Sequence, residues 1–371
     1  MKKYGKVLVV SNMYPSKPFP SYGVFVKNFC DHADELGIRY RRIAMTKASN
    51  KPMKLVKYAI FYLRAFFASL FGGYDLVYIH YPSYSAKPVL WARKFRRFDI
   101  ISNVHGTDVV TLTDMQRKME VNTGKSIAVS VRTVVPSEYY RVLVCKKYKV
   151  SPDKVTVYPS GGIDKAVFHE YDAEARRAMR KEYKIDEDAF VLGYVSRVTK
   201  AKGWDIFLKA LCRCELPADR KLCIFMVGSG DDDDALTREI KALPAPIREA
   251  IRRYPLLPQA KLTEIYNMLD AFIFPTISDS ESLGLVAIEA MTCGAPVIAS
   301  DKAAPAYYVK DGVNGYKFEV GNADALAEKI TEFSKLSMET RQVLHDGAKA
   351  TAAEYSRETT AGILSGLFVR K

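Results

Sequence analysis

Ser280-Glu281-Ser282-Leu283-Gly284-Leu285-Val286-Ala287-Ile288-Glu289-Ala290-Met291-Thr292-Cys293-Gly294-Ala295-Pro296-Val297-Ile298-Ala299-Ser300 reads as a loop, a helix and a strand in one run. The helix is expected to begin at Gly284, and the apolar stretch 296–299 beyond Gly294 reads as a buried strand. Glu281 and Glu289 lie eight positions apart, which on a helix means ~80° in direction and ~12 Å in rise. With Glu281 in the loop before the helix, the two carboxylates can reach opposite ends of one ligand. A phosphate of that ligand would meet the free N–H groups at the helix start. The arrangement suits a sugar nucleotide, which is polar at both ends and anionic in the middle. A merely solvated helix face fits poorly, because residues 283–288 are almost wholly apolar.

Outward from this segment the pattern is strand, loop, helix, repeated. Residues 6–11, 41–45, 75–79, 100–104, 133–136 and 155–158 are short apolar runs expected as strands, with helices at 23–36, 54–71, 86–97 and 138–148. The series restarts after Phe168, with strands at 190–196, 222–227, 271–275 and 296–300 and helices near 202–213, 233–242, 261–269 and 284–293. Alternation without clean period-2 polarity predicts parallel sheets covered on both faces. Two such series predict two Rossmann-like domains facing across a cleft. The expected boundaries are 1–165 and 166–355, with a last helix at 356–371 able to pack back on the N-terminal domain.

The opening segment resembles the E-x7-E signature of family 4 glycosyltransferases, retaining enzymes of the GT-B fold. Other segments agree in order and spacing. Gly193-Tyr194-Val195-Ser196-Arg197 followed by Lys202-Gly203-Trp204-Asp205 resembles that family's G-R…K-G element, and Val227-Gly228-Ser229-Gly230 its V-G-x-G turn. Leu269-Asp270-Ala271-Phe272-Ile273-Phe274-Pro275-Thr276 resembles its A-D-x-F-x-x-P-S strand. In the N-terminal half, Val104-His105-Gly106-Thr107-Asp108 resembles its H-G-x-D loop. Pro159-Ser160-Gly161-Gly162-Ile163-Asp164 through Phe168 resembles its P-N-G-V-D…F linker. The resemblance runs from about residue 5 to residue 335.

Arg197 and Lys202 follow a strand and precede a helix, where a planar guanidinium fork and a point charge would hold a diphosphate. Negative charge grows on a departing nucleoside diphosphate, so fixed cations there act most strongly on the transition state. By the resemblance, Glu289 would accept hydrogen bonds from ribose hydroxyls and Glu281 from the transferred sugar, with the backbone N–H groups of Leu283 and Gly284 close by. Position alone suggests an apolar base pocket around Leu256-Leu257-Pro258. Gly23 would let the backbone approach a phosphate, although the family often has two glycines there and this loop, Tyr22-Gly23, has one. His105 is expected beside the transferred sugar. His80, ending another strand, and Asp108 are expected on the acceptor side. The run Asp231 to Asp234 reads as an acidic first helical turn, so neither metal nor other cofactor is expected.

The chain is 371 residues long, enough for two domains with their own cores, and its 48% hydrophobic and 26% charged content is that of a globular protein. The net charge of +14 is uneven: residues 1–165 hold 28 Lys and Arg against 11 Asp and Glu, whereas the remainder holds 28 against 31. A basic half-molecule favours a polyanion. No zinc-finger, homeodomain or RNA-recognition signature is present, so an anionic membrane surface is expected rather than nucleic acid. Two segments fit that surface. Lys54 to Phe67 places Lys54, Lys57 and Arg64 within ~80° on a helical wheel, and Trp91 to Phe98 interleaves four cations with three aromatic rings. Such clusters suit the headgroup level of an anionic leaflet, although a Rossmann helix must also bury an apolar face. Six cysteines at 30, 145, 212, 214, 223 and 293 show no zinc-like pairing and read as reduced thiols. With no signal peptide and no span-length apolar run, a cytoplasmic protein peripheral on the inner face of the cell membrane is expected.

The resemblance thus implies transfer of a sugar from a UDP- or GDP-type nucleotide-sugar to a saccharide acceptor, and the basic aromatic clusters suggest an acceptor carried on a lipid diphosphate, in cell-surface polysaccharide or glycolipid synthesis. A sugar-nucleotide epimerase or hydrolase of the same fold would need no acceptor, against which stand the intact H-G-T-D loop and the basic face. A phosphorylase would need a site for free phosphate or pyridoxal phosphate, and no segment suggests one. A non-catalytic nucleotide-sugar-binding protein should have lost Arg197, Lys202 or Glu281, and all three are present.

Overall fold

The computed structural model describes residues 3–20, 22–217 and 220–370. The chain divides into two units, Met1–Gly162 with Arg357–Lys371, and Ile163–Ser356. In the first, the order is β1 (Val7–Tyr14), α1 (Val24–Glu35), β2 (Arg41–Thr46), α2 (Lys51–Phe71), β3 (Leu76–His80), α3 (Pro82–Arg93), β4 (Asp99–Asn103), α4 (Asp114–Val129), β5 (Arg132–Val135), α5 (Glu138–Tyr148) and β6 (Val155–Val157). The strands form one parallel sheet in the order β2-β1-β3-β4-β5-β6. In the second unit, α6 (Ala173–Glu182) precedes β7 (Phe190–Val195), α7 (Trp204–Leu211), β8 (Leu222–Val227), α8 (Asp233–Ala242), α9 (Ala245–Ala250) and β9 (Ile251–Tyr254). Then come α10 (Gln259–Met268), β10 (Ala271–Phe274), α11 (Leu285–Thr292), β11 (Val297–Ser300), α12 (Pro305–Tyr308), β12 (Gly315–Phe318), α13 (Ala323–Ser334) and α14 (Met338–Ala353). This sheet is also parallel, in the order β12-β11-β10-β7-β8-β9. The last helix, α15 (Arg357–Leu367), belongs to the first unit.

Successive residues of each strand feed opposite cores, as a sheet covered on both sides requires. In β1, Leu8 and Val10 join Phe61 and Ala65 of α2 and Val89 of α3. Val7 and Val9 face the other way, onto Val26 and Phe29 of α1 and Leu364, Leu367 and Phe368 at the chain's end. In the second unit, Leu192 and Tyr194 of β7 pack with Trp204 and Phe207 of α7 and with Ile330 and Phe333 of α13. Helix starts are fixed by side-chain caps: Asn50 accepts from the Met53 N–H at 2.9 Å, and Thr113 and Gln116 form a reciprocal capping box on α4.

Several elements depart from the sequence reading. Helix α4 was not expected; its polar sequence, interrupted by Gly124, hides the helical period. Strands β9 (Ile-Arg-Arg-Tyr) and β12 (Gly-Tyr-Lys-Phe) are edge strands that were not expected, because charged residues break their apolar runs, whereas the edge strands β2 and β6 of the first sheet were read. Helix α3 begins at Pro82, four residues before expectation, and carries Pro88 inside it. It ends at Arg93, and the following turn folds back so that Arg96 donates to the Ser69 carbonyl at 3.3 Å and the Tyr74 carbonyl at 2.9 Å. Among the described residues no helix is long and apolar enough to cross a membrane.

In each sheet the strand order reverses at one point, between β1 and β3 and between β7 and β10. In open parallel sheets ligands bind beyond the carboxyl ends of strands at such switch points.

Candidate active site

In the second unit the loops after β7 and β10 stand side by side at the switch point. After β7 the chain passes through Arg197, makes a short 3-10 turn over Lys200–Lys202 and enters α7 through Gly203. After β10 it passes Pro275 and Thr276 before reaching Glu281. Two contacts lock the loops together: the Ile277 N–H donates to the Ala201 carbonyl at 3.0 Å, and the Thr276 hydroxyl donates to the same carbonyl at 3.3 Å. This brings Lys202 and Glu281 into an ion pair between Nζ and Oε2, with side chains 20% and 11% exposed. The Thr276 hydroxyl also approaches Glu281 Oε2 at 3.5 Å, and the Glu281 carbonyl accepts from the Ala304 N–H at 3.3 Å. An ammonium has three donors, so the pair leaves two N–H groups of Lys202 for a ligand.

Gly284 caps α11 in the left-handed conformation, φ 80° and ψ 52°, with no side chain accepting from the first helical N–H groups. Those donors and the positive end of the helix form an anion cradle directly after Glu281 and Leu283. The α-carbon of Gly284 packs so tightly that a Cβ would lie 2.8 Å from the Phe274 ring and 3.0 Å from Tyr308 Oη. Glu289, a turn and a half into α11, accepts from Tyr266 Oη of α10 at 3.3 Å. Burial pushes its carboxyl up to about 7, against a smaller downward pull from that hydroxyl.

Arg197 lies exposed in the loop after β7, and its side chain has no hydrogen bond or ion pair among the described residues. Leu257 is half-buried in the loop between β9 and α10, beyond the carboxyl end of the edge strand and beside exposed Leu256. The sequence reading missed Thr276 and Tyr266. It also missed the hydroxyls of Tyr308 and Ser300, which are buried with no hydrogen-bond partner among the described residues. A hydroxyl next to a carboxylate in space leaves no trace in spacing when the two sit on different elements.

In the first unit, β3 and β4 pair with His80 opposite Asn103. The two residues after Asn103 therefore bring His105 over His80, and His80 Nδ1 lies 3.0 Å from His105 Nε2. His80 is fully buried against Phe29 and Tyr78, so it does not itself line an open acceptor surface as expected, and its Nδ1 meets His105 instead. Burial drives both imidazoles down, His105 to about 3 and His80 well below its usual range, so both are neutral and one nitrogen of the contact donates while the other accepts. The His105 ring packs on Phe25 with centroids 4.1 Å apart. Asp108 is likewise fully buried and faces inward: its carboxylate accepts from the N–H groups of His105 at 3.0 Å and Gly106 at 2.7 Å. Burial raises Asp108 to about 6 while these backbone bonds oppose the rise. Its part is to fix the loop that carries His105. Gly23 begins α1, its α-carbon packed on the backbone of Met13 and Tyr14.

A cavity of about 1150 Å³ opens at the amino ends of β10 and β11, the far end of the same sheet, lined by Arg180, Arg220 and Arg341 around Asp270. These arginines donate to the carbonyls of Met268 and Ser334, the last residues of α10 and α13, and of Asp188 in the loop before β7, so they hold backbone ends together. Among the described residues no group of three or more His, Cys, Asp or Glu is placed to hold a metal.

Two family models match the chain in turn, one described as Glycosyltransferase Family 4 over residues 6–164 and one as Glycosyl transferases group 1 over residues 175–351. The chain is similar to D-inositol 3-phosphate glycosyltransferase 1 of Catenulispora acidiphila, 30% identical over 76% of this chain and 66% of that protein. It is also similar to N-acetyl-alpha-D-glucosaminyl L-malate synthase of Bacillus anthracis, 26% identical over 70% of this chain and 65% of that one. The match spans about half to two thirds of the length of the curated relatives. Among solved structures, Anabaena Alr3699/HepE in complex with UDP-glucose superposes with a TM-score of 0.75 at 17% identity over 98% of both chains, a likeness of fold.

Proposed function

This chain belongs to the group 1 glycosyl transferases of family 4, with the two Rossmann-like units of the GT-B fold, and from that premise we propose that it moves a sugar from a UDP- or GDP-type nucleotide-sugar to a saccharide acceptor with retention at the anomeric carbon. The observation that carries this reading is the pairing of Lys202 with Glu281 at the β7/β10 switch point, next to the uncapped start of α11. In this reading Glu289 accepts the ribose hydroxyls and Glu281 a hydroxyl of the transferred sugar. The diphosphate lies between them, on Arg197, Lys202 and the N–H groups of Leu283 and Gly284, with the base toward Leu257. The bond from the anomeric carbon to the diphosphate breaks as the acceptor oxygen bonds that carbon on the same face, and the acceptor proton passes to the departing phosphate. Charge appearing on the diphosphate is met by the two cations and the helix dipole, so the chemistry requires neither a metal nor a covalent nucleophile. His105, neutral and held by His80, contacts the sugar.

The acceptor falls to the N-terminal unit. Its excess of 28 Lys and Arg over 11 Asp and Glu in residues 1–165 supports a saccharide carried on a lipid diphosphate, taken up at the inner face of the cell membrane.

A thermal-shift panel of nucleoside diphosphates and nucleotide-sugars tests the donor assignment. A true ligand at a hundred times its Kd adds ~2.7 kcal/mol of stability; no shift with UDP, GDP or their sugar conjugates would end the proposal. Glu289 supplies a second test. Its folded pKa lies above the unfolded value of 4.5, so folding takes up a proton between that pH and about 7, and this group's contribution to stability, complete below that window, is lost as the pH rises across it. The ionised carboxylate is the form that accepts two ribose hydroxyls. UDP or GDP affinity should therefore climb several-fold from about pH 6 to about pH 8 in the wild type. Glu289→Gln should bind more weakly and lose that climb, whereas the phosphate's own titration remains in both. Parallel pH profiles by calorimetry would remove Glu289 from the nucleotide site.

A further inference from the structure

Helix α2 has two apolar faces. One is buried, with Phe61, Ala65 and Ser69 turned to the sheet. The other carries Val56, Ile60, Leu63, Phe67 and Phe71, at spacings of four, three, four and four, which fall within ~80° of one another on the wheel. All five are more than half exposed, Phe71 at 75%, and the rings of Phe67 and Phe71 stack 6.1 Å apart. A Rossmann helix needs the first face; the second does nothing for the fold, and apolar ridges of this length on a surface mark an interaction site.

The surroundings identify what it meets. Residues 36–98 contain 13 Lys and Arg and a single acid, Asp75, and that acid already accepts from the backbone N–H groups of Gly5 and Lys6. Lys54 and Arg64 are exposed on α2 with no ion-pair partner among the described residues. Arg96 ties the turn after α3 to the C-terminal end of α2 through the Ser69 and Tyr74 carbonyls. That turn presents Phe95, 74% exposed, between Lys94 and Arg96, and Lys87 sits 5.0 Å over the exposed Trp91 ring. An apolar ridge bordered by unpaired cations and aromatic rings, on a helix too polar to span a bilayer, is the pattern of an element lying in a membrane interface. An ordinary protein partner would leave the near-absence of acid unexplained.

We propose that α2 seats this protein on an anionic lipid leaflet, the ridge from Val56 to Phe71 sunk to the level of the acyl chains and Arg64 and Lys94 among the headgroup phosphates. This deepens the lipid-linked acceptor reading above, since the same surface would deliver such an acceptor to the N-terminal unit. Insertion of the ridge supplies part of the affinity and charge the rest, so neither alone holds the protein firmly.

Flotation of the full chain with vesicles tests it, comparing phosphatidylcholine alone with phosphatidylcholine and phosphatidylglycerol in equal parts. The wild type should float with the anionic vesicles and about tenfold less with the neutral ones. Leu63→Gln with Phe67→Gln alters no charge and touches only exposed side chains; it should lower anionic-vesicle binding about tenfold or more. Arg64→Gln with Lys94→Gln should reduce the preference for anionic lipid. All variants should keep the wild-type thermal shift with nucleoside diphosphate, which separates failure of this surface from failure of the donor assignment. Equal flotation of the Leu63→Gln/Phe67→Gln protein overturns the proposal, as does a wild type that binds neither vesicle. A wild-type dimer in light scattering that the same double variant turns into monomer would assign the ridge to a second copy and overturn it too.

Discussion

Lys202→Ala should lower kcat about a thousandfold, equivalent to ~4 kcal/mol of transition-state stabilisation, while weakening ground-state binding of the nucleotide-sugar far less. The asymmetry follows from where the charge is. A bound donor already carries its diphosphate charge, but that charge increases and moves toward the leaving oxygen as the anomeric bond breaks. Lys202 is held in place by Glu281 and by the turn that Gly203 closes, so it need not reorganise to meet it. Removing the ammonium also leaves the Glu281 carboxylate, 11% exposed, with only the Thr276 hydroxyl beside it among the described residues. Lys202→Arg should recover little, because the longer planar fork does not fit a point-charge position beside a carboxylate. Initial rates and donor Kd for the three proteins, with the nucleotide-sugar that the thermal-shift panel selects, give the separation. A kcat within tenfold of wild type for Lys202→Ala would show that the cation is not where charge develops.

Gly203→Ala should cost the second unit about 4 kcal/mol or more, enough to put its folding at risk where total stabilities run to about 5–15 kcal/mol. Gly203 lies at φ 71° and ψ 24°, and a Cβ there would stand 1.9 Å from the carbonyl oxygen of Pro275. The left-handed conformation alone charges an alanine about 1–2 kcal/mol. The overlap adds more, because both partners are backbone and no rotamer relieves it. Gly321 provides the control: its φ is 78° but nothing lies within 4 Å of its Cβ position. Gly321→Ala should therefore lose only the conformational part. Melting curves of both variants should place Gly203→Ala more than about 8 °C below wild type, with Gly321→Ala only a few degrees down. Equal losses would mean that the loops after β7 and β10 can separate without penalty.

The parts of the molecule that sequence made legible are those where one element contains the whole signal. The strands that became β7, β8, β10 and β11 are walled in on both sides and read as apolar runs, and they were enough to predict paired parallel sheets. Edge strands β9 and β12 carry Arg252, Arg253 and Lys317 because one side of each faces water, and so they lost their signature. The candidate site divides the same way. Glu281, Gly284 and Glu289 lie on one loop-helix unit and were visible as spacing. The contact between His80 and His105 depends on the β3/β4 register, and that between Tyr266 and Glu289 on the approach of α10 to α11; both are tertiary facts with no local pattern. His80 shows the limit most clearly. A histidine at a strand end looks like a surface ligand until the neighbouring strand is known to roof it over.

Helix α15 has a consequence for the order in which this protein comes into being. Leu364, Leu367 and Phe368 complete the core beneath Val7, Val9 and Phe29, yet they are made after all of residues 163–356. The nascent first unit therefore leaves the ribosome with an open apolar face and must wait through the synthesis of the whole second unit before it can close. The second unit suffers no such delay, since Ile163–Ser356 is continuous and its two ends are already stitched together, the Ile163 N–H donating to the Tyr355 carbonyl at 2.8 Å. The half that is translated first is thus the half that finishes folding last, and the interval between is when it most needs a chaperone's cover.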